Sequence, residues 1–151
     1  MRAVVQRVAR ARVLEDGRLL GKVTGGLCVL LGVARGDNEK MADALARKLT
    51  RLRIFPDDEG RFSRSVRDVG GSALVVSQFT LIADASKGNR PSFSDAAPAD
   101  LAEPLYERFC DALRAEGVQV ATGRFGALMQ VELVNDAVSY THLTLPTNRE
   151  V

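Results

Sequence analysis

The chain has 151 residues, of which 46% are hydrophobic and 26% charged, and its formal net charge is +2. This length and composition are typical of one globular domain with a substantial core, and so small a charge does not by itself indicate a nucleic-acid-binding surface. No stretch approaches the roughly 20 apolar residues of a membrane helix. The basic N-terminal segment lacks the continuous apolar run of a signal peptide. We therefore expect a cytoplasmic protein without a membrane partner.

The two cysteines, Cys28 and Cys110, lie far apart in the sequence. Neither belongs to a Cys-x-x-Cys pair or lies near a histidine, so the ligand set of a zinc site is missing. We expect two buried, reduced thiols, and we expect neither a metal ion nor a cofactor.

Hydrophobic alternation predicts the first strands of the chain. Strands are expected over residues 2–13 and 18–24, joined by the Glu-Asp-Gly turn at 15–17. Two glycines at 25–26 are expected to end the second strand. The continuous apolar run 27–33 then predicts a separate, buried strand.

The period next changes to that of an amphipathic helix. Asp37 or Asn38 can cap its N-terminus, because both side chains accept hydrogen bonds from unpaired backbone N–H groups. The apolar side chains that share one helical stripe are Met41, Leu45, Leu49 and Leu52.

The second half of the chain combines strands with one more helix. Residues 72–83 give the strongest strand prediction, and a long polar loop is expected over 84–100. A helix is expected over 101–116, and strands over 118–122 and 127–135. The helix is expected to bury Leu101, Leu105, Phe109 and Leu113. This order favours a single α+β domain with largely antiparallel sheets, and no Gly-x-Gly-x-x-Gly segment supports a doubly wound fold.

Polar side chains interrupt the strongest strand at Ser77, Gln78 and Thr80, around Phe79. Serine and threonine are common at strand ends, where their hydroxyls bond nearby backbone, so these residue types alone favour a structural role. A hydroxyl nucleophile needs a base, and the chain's one histidine, His142, lies in an irregular C-terminal tail. Backbone N–H groups that stabilise an oxyanion would need no histidine.

Two other segments contain residues with unusual backbone freedom. Residues 87–93, Lys-Gly-Asn-Arg-Pro-Ser-Phe, fit either an exposed turn or a shaped functional loop. Residues 122–129 place glycines on both sides of Arg124-Phe125, which could present Phe125 to a flat ligand. Phe125 and Met129 are, by residue type alone, more typical of a core.

Taken in order, six segments carry a family resemblance: MRAVVQRV at the start, LLGV at 30–33, RIF at 53–55, GGSALVVSQFTL at 70–81, GNRPSF at 88–93 and TGRFGALMQVELVND at 122–136. Together they resemble the D-aminoacyl-tRNA deacylase family over residues 1–136. The resemblance implies hydrolysis of the ester between a D-amino acid, or mischarged glycine, and the 3′-terminal adenosine of tRNA. It also implies a homodimer with active sites at the interface, and a tRNA rather than a DNA partner.

The resemblance assigns roles to individual residues. Ser77, Gln78, Phe79 and Thr80 would line the catalytic, aminoacyl-binding site, where main-chain N–H groups polarise the ester carbonyl. Phe125 and Met129 match the family's adenine-binding positions. Arg7 matches a supporting position. The resemblance leaves two mechanisms open. Thr80 could act as the nucleophile, or the 2′-hydroxyl of the tRNA could assist a water molecule. The lack of a base near Thr80 favours the second.

The sequence departs from the family directly after Asp136. The family continues with Gly-Pro-x-Thr, whose cis peptide enters the partner subunit's site and rejects L-amino acids, whereas this chain reads Ala-Val-Ser-Tyr at 137–140. Arg7, which supports that motif in the family, would lose this partner. We therefore expect a deacylase domain over 1–136 and a read-through or fusion scar over 137–151, in which His142 is not a catalytic base.

Two alternatives to a selective deacylase follow from these observations. Without the Gly-Pro motif the chain could be an inactive or poorly selective dimeric protein that binds tRNA ends. An unrelated α+β domain with an incidental polar strand end is the other alternative, which the ordered matches disfavour. We expect weakened chiral selectivity or little activity.

Overall fold

The computed structural model describes residues 1–137 and 142–146 of the chain. Within these residues the elements are β1 (Arg2–Glu15), β2 (Arg18–Gly32), α1 (Glu39–Arg51), β3 (Phe55–Pro56), β4 (Phe62–Arg64), β5 (Ser72–Ser77), a 3₁₀ turn (Phe79–Leu81), α2 (Ala99–Ala115), β6 (Gln119–Thr122), β7 (Gln130–Asn135) and β8 (His142–Pro146).

One mixed sheet organises the fold. Its strand order is β6-β5-β2-β1-β7, and β8 pairs with the start of β1. Strand β1 pairs antiparallel with β2, β7 and β8, whereas β5 lies parallel to both β2 and β6. The short strands β3 and β4 form a separate antiparallel pair. The predicted α+β domain with two helices and largely antiparallel pairing is confirmed, and among the described residues the parallel pairs are those that β5 makes.

The prediction that residues 25–26 end a strand is wrong, because β2 runs unbroken through them. Gly25 has φ +63° and Gly26 has φ +156°, so the strand changes direction without losing its register against β1. On β1, Ala3 packs into a cluster with the helices, whereas Ala11 packs into a second cluster with parts of β5 and β7. The bent hairpin therefore contributes to both halves of the core.

Helix α1 begins where the sequence predicts. The side chain of Asn38 accepts a hydrogen bond from the Met41 N–H at 3.0 Å and caps the helix. Asp37 instead accepts a bond from the Ala34 N–H at 2.7 Å. Leu45 and Leu49 of the predicted stripe are buried, whereas Met41 and Leu52 are half-buried.

Helix α2 buries Phe109 and Leu113 as predicted, but Leu101 is 58% exposed. Side chains spaced by four residues drift about 40° around a helix at each step, so Leu101 and Leu113 do not share a face. The buried face consists instead of Ala102, Tyr106, Phe109, Cys110 and Leu113.

Both cysteines are free and buried, as the sequence predicts. Burial raises the pKa of the Cys28 thiol to about 11, and it raises the pKa of Cys110 to about 11 in the same way. Both thiols are therefore protonated and unreactive at neutral pH. In the described part of the chain, no helix has the length and apolar character that crossing a bilayer requires.

Candidate active site

The predicted strand over 72–83 is too long, because β5 ends at Ser77 and a 3₁₀ turn follows. The Gln78 N–H donates to the Leu31 carbonyl at 2.8 Å, and the Gln78 carbonyl then accepts from the Leu81 N–H at 3.2 Å. The chain therefore curls over the end of β2. Simple alternation predicts that Gln78 and Thr80 lie on the same face of a strand. They do not, because the strand has ended before them.

Gly32 at the end of β2 and Arg2 at the start of β1 support this turn. A Cβ at Gly32 would lie 3.0 Å from the Gln78 carbonyl oxygen and 3.1 Å from the Leu81 Cβ, so the absence of a side chain lets the turn pack closely. The Arg2 guanidinium donates from Nη1 to the Leu81 carbonyl at 2.7 Å. The start of β1 and the end of β2 thus position the polar segment.

A cavity of about 470 Å³ opens beside this turn. One wall is formed by the polar segment at Ser77, Gln78 and Phe79, and the other includes Phe125 and Met129. The structure thus brings five of the sequence-predicted residues together around one space, although they come from distant parts of the chain.

Thr80 is exposed and does not line the cavity. Its hydroxyl oxygen accepts a hydrogen bond from the side-chain amide of Gln78. A hydroxyl that accepts such a bond is not being deprotonated by it, so the contact orients Thr80 without activating it as a nucleophile.

Arg7 lies away from the cavity and is 5% exposed. Its Nε donates to the Asp136 carbonyl at 2.8 Å, and its Nη1 donates to the Ile54 carbonyl at 2.7 Å. The guanidinium carbon lies 5.1 Å from the ring centroid of Phe62. Arg7 therefore has other partners in this chain, and it anchors the end of β7 directly before the position where the family has Gly-Pro. Residues 138–140 of the substituted motif lie outside the described residues.

The loop between β6 and β7 forms the second wall. A Cβ at Gly123 would lie 2.5 Å from the Met129 Sδ, and the Arg124 N–H contacts the same sulfur at 3.4 Å. Gly126 has φ +78°, and the Ala127 N–H closes a turn onto the Arg124 carbonyl at 3.1 Å. The two glycines thus permit a tight loop that folds around Met129.

Tyr106 of α2 supports both walls from behind. Its hydroxyl donates to the Val75 carbonyl of β5 at 2.7 Å, and its ring centroid lies 5.9 Å from that of Phe125. Burial raises the pKa of Tyr106 above its ordinary value, so the hydroxyl stays protonated and able to donate.

Sequence patterns missed several features of the site. Small side chains near the start of α2 leave room for the cavity, and these residues are Ala97, Ala99 and Ala102. Their only sequence marker is an alanine-rich stretch, which also fits an ordinary helix. Phe93, from the long polar loop, lies edge-on to Phe79 with ring centroids 5.2 Å apart. Among the described residues, no group of three or more His, Cys, Asp and Glu side chains could hold a metal ion.

Comparisons with known proteins agree on one family. The family described as D-Tyr-tRNA(Tyr) deacylase matches residues 4–142. A D-aminoacyl-tRNA deacylase of Roseiflexus castenholzii is 60% identical over 136 residues, which cover 90% of this chain and 87% of that protein. One from Azoarcus sp. (strain BH72) is 55% identical over 146 residues, with 97% of each chain covered.

A solved structure shares the architecture described above. The c-Myc DNA Unwinding Element Binding Protein superposes with a TM-score of 0.90 at 39% identity, with 98% of this chain and 99% of that one covered. The family match spans most of the chain, and relatives at 55–60% identity are matched over almost their whole length. This chain therefore belongs to the D-Tyr-tRNA(Tyr) deacylase family.

Proposed function

We propose that this chain hydrolyses the ester between a D-amino acid, or mischarged glycine, and the 3′-terminal adenosine of tRNA, as a proofreading step in translation. The observation that carries the proposal is the two-walled cavity. Its lining combines the polar wall at Ser77 and Gln78 with the wall that contains Phe125 and Met129. An apolar aromatic wall and a short polar backbone segment around one cavity suit a nucleoside with an aminoacyl group at its 3′ end.

Family membership supports assigning Ser77, Gln78, Phe79 and Thr80 to the aminoacyl site. The Gln78 N–H is already bonded to Leu31. The first N–H groups of a helical turn have no acceptor within that turn, and here they belong to Phe79 and Thr80. We assign the Phe79 N–H to the ester carbonyl, where it would stabilise the oxyanion of a tetrahedral intermediate, because Phe79 lines the cavity and Thr80 does not.

In the proposed reaction a water oxygen attacks the ester carbonyl and forms a new C–O bond. The tetrahedral intermediate then expels the 3′-oxygen of the adenosine, and the proton that the water loses is taken up by this oxygen. The products are the free amino acid and the uncharged tRNA. The tRNA 2′-hydroxyl assists this water, because the Thr80 hydroxyl accepts a bond from Gln78 and has no base to deprotonate it among the contacts described.

We propose that two copies of the chain assemble, with the sites at their interface. Large apolar side chains are exposed around the cavity, with Leu128 92% and Phe79 56% accessible. Exposed apolar patches of this kind commonly mark association surfaces. The mass measured by analytical ultracentrifugation is expected to be twice that of the chain, and a monomer would contradict the proposal. Because its substrate is used in translation, we place the protein in the cytoplasm.

We propose further that residues 137–151 are a read-through or fusion scar in place of the native end. The support is the sequence Ala137-Val138, where the family has Gly-Pro. Strand β8 nevertheless pairs with Arg2–Gln6, so residues 142–146 of this tail lie at an edge of the sheet. The same tail encoded contiguously in an independent genomic copy would contradict the proposal.

A deacylation assay with D-Tyr-tRNA and L-Tyr-tRNA tests the function. We expect hydrolysis of the D-substrate with weak rejection of the L-substrate, because the Gly-Pro sequence that excludes L-amino acids in the family is replaced by Ala137-Val138. The double substitution Ala137→Gly and Val138→Pro is expected to reduce hydrolysis of L-Tyr-tRNA more than that of D-Tyr-tRNA. Full rejection of L-Tyr-tRNA by the unaltered chain would contradict our view of the tail. Absence of hydrolysis with retained tRNA binding would instead favour a tRNA-end-binding protein.

A further inference from the structure

An ion pair connects the second wall of the cavity to the far end of the first hairpin. The Arg124 Nε donates to Glu15 Oε2 at 2.9 Å, and its Nη2 donates to Glu15 Oε1, so the contact is bidentate. Glu15 is the last residue of β1, and its side chain is 20% exposed, whereas that of Arg124 is 64% exposed. Two parallel N–H···O bonds fix the direction of a guanidinium better than one.

This pair adds a charged contact to a loop that is also held by bonds within it and by the packing of Phe125 and Met129 against the two core clusters. The Arg124 N–H bonds to Met129, and the Ala127 N–H bonds to the Arg124 carbonyl, both within the loop. The Tyr106 ring contacts Phe125 from the side of α2. The Glu15 carboxylate reaches the loop from the end of the hairpin, and it bonds to Arg124, whereas the α2 contact is made to Phe125.

We propose that Glu15 and Arg124 are positioning residues for the adenosine-binding wall of the cavity. The pair sets the place of the loop that carries Phe125 and Met129, and thereby the distance between this wall and the polar segment at 77–79. This inference rests on the proposed function, since it assigns adenosine to that wall. Arg124 contributes through the loop, because the Nε–Nη2 edge of its guanidinium is turned toward Glu15.

A direct contact between Arg124 and a tRNA phosphate makes a different prediction. If Arg124 bound phosphate, Glu15 would compete with the substrate, and its removal would strengthen binding. If Arg124 positions the loop, removal of either partner weakens binding. Exchange of the two charges separates these cases, because it rebuilds the pair but places an acidic side chain where a phosphate contact would need a cation.

The experiment uses the full chain and four variants. Glu15→Gln removes the charge at nearly constant shape, and Glu15→Asp keeps the carboxylate. Arg124→Glu breaks the pair, and Arg124→Glu combined with Glu15→Arg restores it in reverse. The matched control is Glu132→Gln, which breaks the cross-strand pair between Arg12 and Glu132 on the same sheet, where the Nε–Oε2 distance is 2.5 Å.

Two readouts are measured for each variant. Calorimetry gives the Kd for a non-hydrolysable adenosine that carries a D-tyrosyl group in amide linkage at its 3′ position. Steady-state kinetics on D-Tyr-tRNA give KM and kcat separately. Thermal unfolding of each variant establishes that the protein is folded at the assay temperature.

We expect Glu15→Gln to raise the Kd and the KM about two- to five-fold, the range of a well-oriented exposed pair, with kcat nearly unchanged. Glu15→Asp is expected to fall between Glu15→Gln and the unaltered chain. The charge exchange should recover most of the affinity that Arg124→Glu loses, and Glu132→Gln should leave Kd and KM unchanged.

Three results would overturn the inference. One is an unchanged Kd in folded Glu15→Gln, and another is tighter binding by that variant. The third is a charge-exchanged protein that binds as weakly as Arg124→Glu. An unaltered chain that neither binds the amide nor hydrolyses D-Tyr-tRNA would refute the proposed function and the positioning role together. If the unaltered chain binds the amide and hydrolyses D-Tyr-tRNA, the Kd values of the variants test the positioning role alone.

Discussion

Gly26 shows how a single missing side chain decides the pairing of two strands. A Cβ at this position would lie 1.9 Å from the Ser72 carbonyl oxygen, far closer than any van der Waals contact permits. Its neighbour Gly25 has φ +63° but no atom within 4 Å of a built Cβ. Gly25 is therefore required by backbone conformation alone, whereas Gly26, with φ +156°, combines an unusual conformation with close backbone approach.

Alanine substitutions at these two positions show how much the close approach at Gly26 adds to the cost of an unusual backbone conformation. Gly26→Ala is expected to lower the free energy of unfolding by about 3 kcal/mol or more, because β5 must move away from β2. Gly25→Ala is expected to lower it by only about 1 to 2 kcal/mol, the cost of a left-handed conformation. Urea unfolding measures both, and equal losses would show that the contact with Ser72 can relax.

Thr80 tests the chemistry at the same scale. Because its hydroxyl accepts a bond from Gln78 and lies outside the cavity lining, Thr80→Ala is expected to keep most of the deacylation rate. The assay is kcat on D-Tyr-tRNA, with circular dichroism as the check on folding. Complete loss of hydrolysis by a folded Thr80→Ala protein would count against the mechanism in which the tRNA 2′-hydroxyl assists the water.

At the scale of elements, α2 contacts the segments that form the two walls of the site. Tyr106 donates a buried hydrogen bond to Val75 in β5 and packs its ring against Phe125. The helix therefore touches the strand that leads into the polar segment and the loop that faces it. One side chain on one helical face couples two segments that have no sequence relation.

Tyr106→Phe keeps the ring and removes the bond to Val75. We expect the free energy of unfolding to fall by about 1 to 2 kcal/mol, because a buried carbonyl loses a hydrogen-bond donor. The Kd for the adenosine amide should change less than in Glu15→Gln, since the ring still supports Phe125. Unchanged stability in urea unfolding would show that Val75 is satisfied by the strand ladder alone.

At the scale of the whole molecule, the buried thiols make stability depend on alkaline pH. The pKa of each thiol is raised from 9.0 to about 11 by burial, so the unfolded chain loses these protons first. The stabilising effect is complete below pH 9.0 and is lost as pH rises toward about 11. The free energy of unfolding is therefore expected to fall as the pH rises from 9.0 to 10.0. The interval ends at pH 10.0 because that is the ordinary pKa of tyrosine, and the thiols are best observed below it.

The control for this pH dependence is Cys28→Ala, in which the decline over the same interval should be smaller. Urea unfolding at several pH values provides the measurement. A decline of the same size in the variant would assign the effect to groups other than the Cys28 thiol.

Local patterns in the sequence determined the elements that depend on near neighbours. The cap at Asn38, the stripe of α1 and the buried end of α2 follow from helical period and short-range hydrogen bonds, which nearby residues fix. The family assignment also follows from the order of motifs. The residues that form the two walls were identifiable as a set by this resemblance, but their arrangement was not.

Only the tertiary structure decided where β5 ends, how β2 passes Gly26 and which residues face each other across the cavity. The Leu31 carbonyl captures the Gln78 N–H and curls the chain, a contact that no alternation pattern contains. The pair between Glu15 and Arg124 joins residues 109 positions apart and likewise has no sequence marker. The physical reason is the same in each case: the deciding partner is close in space and distant along the chain.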